Sequence, residues 1–151
     1  MDEKRAMLRH TLATIAYRSS RYLNGVPPEF HGFRACESSR TVLEILNHIN
    51  GLLMYAHSHL APYDSTHPPL GTWQKELDRF REMLPKLDAS LASGQPLLGI
   101  TEERLLQGPL ADVLTHIGQI GMLRQMAGYP AEDENYIQSP ITAGNLVLPG
   151  W

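Results

Sequence analysis

Four stretches of about twenty residues in which apolar side chains recur at three-and-four spacing constrain this chain more than any other feature. The first runs from Asp2 to about Asn24, with Leu8, Leu12, Ile15, Ser19, Tyr22 and Leu23 on its inner stripe and Gly25 as its stop. A second opens at Thr41, where Thr41-Val-Leu-Glu44 reads as a capping box, and carries Val42, Ile45, Leu46, Ile49, Leu53 and Leu60 up to Pro62. The third spans Trp73 to about Ser93. Pro85 sits inside it, and its missing N–H predicts a bend near Met83 or a split. The fourth is Leu110 to Gly128, opened by Gly108-Pro109 with proline at the first helical position and closed by Gly128 ahead of Pro130.

The connecting segments are rich in proline and glycine and show no strand alternation, so 25–36, 63–71 and 94–108 read as loops, the last with a short Thr-Glu-Glu-Arg-Leu-Leu turn. Helices of this length without strands predict an all-α protein, a four-helix bundle over 1–128, followed by an irregular C-terminal tail over 129–151. The tail has several apolar residues (Ile137, Ile141, Leu146, Leu148, Trp151), and so is expected to pack over the bundle or across a partner subunit.

At 151 residues and 42% hydrophobic, the chain is long enough to bury one core. Its net charge of −3 and lack of a basic patch argue against binding nucleic acid or an anionic membrane surface. No apolar run approaches the ~20 residues of a spanning helix, and the opening Met-Asp-Glu-Lys-Arg leads straight into the amphipathic pattern. With one cysteine, Cys36, in a loop, the expectation is a cytoplasmic protein whose thiol is incidental.

Candidate chemistry lies on the fourth stretch, where Asp112 and His116 stand four residues apart on the edge of the apolar stripe. At that spacing a carboxylate and an imidazole reach one cation. Bundles build sites from facing helices, and His48, in the second stretch between Ile45 and Leu52, lies on the margin of its apolar face. The plainer alternatives are a core-edge histidine at 48 and, at 112, a solvated acid favoured by the helix dipole. His57 points to another side of its helix, His59 lies further along it, and His10, His31 and His67 read as surface or loop residues. Gln119 and Thr115 flank His116 and are candidates to orient a ligand or a bound water, or, for Gln119, to bridge helices.

The segments Glu44-Ile-Leu-Asn-His48 and Thr115-His-Ile-Gly-Gln-Ile-Gly-Met-Leu-Arg-Gln-Met-Ala-Gly128 together resemble the DinB/YfiT superfamily of metal-binding four-helix bundles. The resemblance spans all four helices. It implies a divalent metal, often nickel or zinc, held by one histidine of the second helix and two histidines a turn apart in the fourth. By position His48 matches the first ligand and His116 the last, while Asp112 stands where the common pattern has histidine. A two-histidine, one-carboxylate set still suits zinc, nickel, iron or manganese and leaves coordination positions open.

What the resemblance implies for function is a metal-dependent transferase or isomerase, or a hydrolase-like enzyme, using a low-molecular-weight thiol and a small-molecule substrate, in a homodimer. The alternative is a non-catalytic dimeric binding protein with a vestigial site. An approach cleft with polar walls separates the first from the second. If the tail folds toward the metal, Asn135 and Tyr136 are the polar groups placed to line the entrance.

Overall fold

The computed structural model describes residues 2–61, 66–147 and 150, and among them the chain is helical with no strand. Helix α1 spans Glu3–Leu23, α2 Pro28–His31, α3 Val42–Ser58, α4 Trp73–Ala92, α5 Glu102–Leu105 and α6 Ala111–Met126, with a π-helical turn over Leu106–Leu110 between the last two. The four long helices form a bundle in which α1 and α3 each pack against both α4 and α6, placing α1 and α3 at opposite corners. Leu12, Ile49, Phe80, Leu84, Val113 and Ile120 meet in the core at 1% exposure or less. No helix among the described residues is long and apolar enough to cross a membrane.

Local chemistry sets the helix starts. Asp2, Thr41, Thr72 and Thr101 each accept a hydrogen bond from a first-turn N–H, and Thr41 and Glu44 close a reciprocal capping box. Gly128, at φ +86°, supplies the left-handed residue just beyond α6 that a side chain would strain. Pro85 does not split its helix: α4 continues to Ala92, with Met83, Leu84, Leu87 and Leu91 buried on both sides of the proline. Packing of that apolar face outweighs one missing hydrogen bond.

Two local expectations are corrected. The segment after Gly25 holds the one-turn helix α2, because Pro28 is pre-set for a first helical position and Phe30 is fully buried beneath it. More consequentially, Gly108-Pro109 does not open the last helix. The chain is helical from Thr101 onward, and Ala111 N–H reaches back five residues to the Leu106 carbonyl. Proline at 109 has no N–H to give Leu105, and the wider π turn takes up that interruption without ending the helix.

Three polar contacts fix how the helices are connected. Arg124, at 8% exposure, donates to the carbonyls of Arg21, Tyr22 and Asn24 and to that of Tyr129, tying the end of α1 to the end of α6. Arg9 forks onto Asp88 with two bonds of 2.8 Å, joining α1 to α4. The third centres on Glu76 of α4, fully buried, which accepts from Asn47 and Asn50 of α3, from Gly71 N–H and from Arg79. Asn47 and Arg79 also donate to the carbonyls of Pro68 and Pro69, so this one carboxylate anchors the chain entering α4.

The tail packs back on its own bundle. Glu134 pairs with Arg21 and accepts from Tyr17, Tyr136 meets Tyr22 at 3.2 Å, and Leu146 is buried. Ile137, however, is 96% exposed and stays uncovered. Leu148 and Trp151 lie outside the described residues.

Candidate metal centre

His48, Asp112 and His116 come together between α3 and α6. Each offers one ligand atom, and the three atoms lie within 4.8 Å of one another. The imidazoles of His48 and His116 meet edge to face, ring centroids 4.6 Å apart. Three atoms so spaced share a point within 4.8 Å divided by √3, about 2.8 Å, of each, against the roughly 2.0–2.2 Å of zinc–nitrogen and zinc–oxygen bonds. Closing that gap takes well under 1 Å per ligand, within the reach of side-chain torsions.

The donor set is also chemically ready. His116 is buried, and its Nδ1 lies 2.8 Å from Gln119 Oε1, an acceptor that fixes the proton on Nδ1 and leaves the lone pair on Nε2. His48 and Asp112 have no hydrogen-bond or ion-pair partner among the described residues, so neither must abandon a bond to coordinate a cation. Burial pushes His48 below histidine's ordinary range, and the charges of Arg40, His116 and His67 push the same way against Asp112. A neutral imidazole is the ligating form. Asp112 is exposed, which leaves its carboxylate hydrated and gives the site an open side.

Of the other residues singled out from the sequence, Gln119 orients His116, whereas Thr115 donates its hydroxyl to the Ala111 carbonyl of its own helix. Asn135 and Tyr136 are elsewhere: Tyr136 packs on Tyr17, Tyr22 and Arg18 of α1, and Asn135 accepts locally from Ile137 N–H. The tail therefore lies along α1 and the Gly118–Gly121 side of α6, away from the face carrying His116. His57 bonds Ser90, His59 bonds the Leu98 carbonyl, and His31 stacks on Trp73 at 4.2 Å, so each has a structural partner.

A cleft of about 600 Å³ adjoins the centre, between α6 and the segment leading into α3. Arg40, Ser38, Ser39 and Gln119 supply its polar wall, and Ile45, Met122, Leu123 and Met126 its apolar one. Gln119 is common to cleft and metal centre. Cys36 lies beside this segment, its thiol held below the usual range by the Ser38 hydroxyl 3.3 Å away. Neither Arg40 nor His67 was singled out by spacing, because both sit outside the periodic part of the helices and reach the site only through the chain's path. Comparison with protein-family models, with curated proteins and with solved structures finds no match to this chain.

Proposed function

We propose that this protein is a metal-dependent enzyme of the DinB/YfiT kind, holding one divalent cation at His48, Asp112 and His116 and acting on a small molecule bound in the adjoining cleft. The observation that carries the reading is three ligand atoms within 4.8 Å of one another, with His48 and Asp112 uncommitted among the described residues. Two nitrogens and one carboxylate oxygen suit nickel or zinc, and also iron or manganese. When bound, such a cation supplies Lewis acidity that lowers the pKa of a coordinated water or thiol.

The chain's own residues set up that chemistry. Gln119 fixes the His116 tautomer, burial keeps His48 neutral, and Arg40 places a positive charge on the cleft wall. The reaction class in this reading is group transfer or isomerisation with a low-molecular-weight thiol, or hydrolysis. The resemblance adds a cytoplasmic homodimer, which light scattering tests directly. A non-catalytic protein with a vestigial site would have apolar side chains closed over the ligands, whereas here Asp112 is exposed and the adjoining cleft has Arg40, Ser38, Ser39 and Gln119 along one wall.

Elemental analysis of protein purified without an affinity tag is the deciding experiment. About one equivalent of a divalent metal in the native protein, lost in Asp112→Ala, is the expected result. Protein free of metal, or a content indifferent to Asp112→Ala, overturns the assignment.

A further inference from the structure

One histidine outside the triad is held where a ligand would be useful. Arg40, just before α3, and Ile45 on it line the cleft on the N-terminal side of His48, and Gly51 lies one turn beyond His48 on the other. The imidazole of His67 rests directly on Gly51. A Cβ built there would fall 2.1 Å from its Cδ2 and 2.5 Å from its Nε2, so only glycine permits this approach. Position 51 shares a ridge with His48, three residues apart, so the ring lies beside His48 on the side away from Arg40 and Ile45, near enough for its charge to act on His48.

The placement is anchored from behind. Immediately after His67, the Pro68 carbonyl accepts from Asn47 and the Pro69 carbonyl from Arg79, while Gly71 N–H donates to Glu76. Glu76 is fully buried and shared with Asn50, so the segment is tied to α3 on both sides of the His48 position, through Asn47 and Asn50. Among the described residues His67 has no hydrogen-bond or ion-pair partner, and the residue is exposed.

We propose that His67 is a fourth protein ligand, brought to the metal from the connection between α3 and α4 and occupying the coordination position opposite the cleft. Three ligands come from helices and are fixed, whereas His67 comes from a connecting segment and moves in as the cation binds. The cleft side is left open for water or substrate. This rests on the metal centre proposed above and adds to it a ligand that neither the spacing nor the resemblance supplies.

Titration with Co(II) tests it, read by visible absorption and by competition with a chromophoric chelator. The native protein is expected to take up about one equivalent, and His67→Ala to bind at least about tenfold more weakly with an altered visible band, since one nitrogen has left the metal. His10→Ala, which removes an exposed imidazole from α1, is expected to match the native protein in both readings. Circular dichroism confirms that each variant keeps its helices. Unchanged affinity and spectrum in His67→Ala overturn the fourth ligand and leave the three-residue centre standing. Equal losses in His10→Ala overturn it as well, because they mark non-specific surface binding. A native protein that takes up no Co(II) overturns the centre itself.

Discussion

Replacing Glu76 tests whether one buried carboxylate holds the chain between α3 and α4 in place. It accepts from Asn47 at 3.0 Å and from Asn50, Gly71 N–H and Arg79 at 2.8 Å each. Alanine leaves these donors facing an apolar hole. Removing one partner of a buried ion pair costs about 3–5 kcal/mol. The Arg79 side chain is 32% exposed, so water takes over part of its load and the lower end, about 3 kcal/mol, is the working figure. Glutamine is milder. Its carbonyl oxygen can serve the three donors at Oε1, and its NH₂ strands only Asn50, a loss of about 1–3 kcal/mol.

Urea unfolding followed by circular dichroism measures the difference. With a slope near 2 kcal/mol per M, unchanged between variants, Glu76→Ala is expected to lower the midpoint by about 1.5 M and Glu76→Gln by about half that. Against a total stability of about 5–15 kcal/mol, either shift is readily seen. A Glu76→Ala protein within about 0.5 kcal/mol of the native one, or less affected than Glu76→Gln, would refute the reasoning, since 0.5 kcal/mol is what an ordinary surface substitution costs.

Gly51→Ala is expected to stabilise the fold by up to about 1 kcal/mol of helix propensity, raising the melting temperature, while weakening Co(II) binding, because the new methyl displaces His67. Calorimetry and metal titration on one sample check the opposite signs. Asp112→His, which restores the residue type of the pattern this chain resembles, should tighten zinc binding in a chelator competition, and a weaker site would count against the placement of the third ligand. Burial, then Lys86, lowers the pKa of His57, so the unfolded chain binds the extra proton first: stability is full above the ordinary histidine value of about 6.5 and falls as pH drops through and below it. His57→Asn should flatten that fall in urea unfolding between pH 7 and 5. Deleting 129–151 removes the buried Leu146 and the Glu134 contacts with Arg21 and Tyr17 of α1, and the expected result is poorer solubility with metal content unchanged.

The long helices were legible because each has a stripe deep enough to define a face, and α1, α3 and α4 each have a residue that caps the start, as Thr41 does for α3. His48, Asp112 and His116 were legible for a related reason: two ligands share one ridge, and the third lies on the margin of α3, a helix that packs against α6. What escaped was decided by partners distant in sequence. Asn47, Asn50 and Glu76 look like ordinary polar positions, and only their mutual burial across α3 and α4 makes them a structural unit. His67 is a loop residue until the chain path lays it on Gly51. Gly108-Pro109 carries the local signature of a helix start, yet Leu105 is fully buried just before it, and the packing there keeps the backbone helical.

That π turn also makes the last helix answer to two different clocks. Before it, Glu102 and Glu103 pair with Arg5 and Lys4 of α1; after it, Asp112 and His116 must face α3. An uninterrupted α-helix advances each residue by about 100°, and one additional residue held in a wide turn resets the angular phase of everything downstream by about that amount. Straightening that turn into a plain α-helix of the same length would therefore leave both halves helical but turn one against the other by more than a quarter of a circle. Either the α1 ion pairs or the metal ligands would then point the wrong way. Removing one residue between 106 and 110 has the milder outcome, because five residues in a wide turn sweep about the same angle as four in an ordinary one. In a chain of this kind the winding of a glycine-proline segment is itself part of the site's definition.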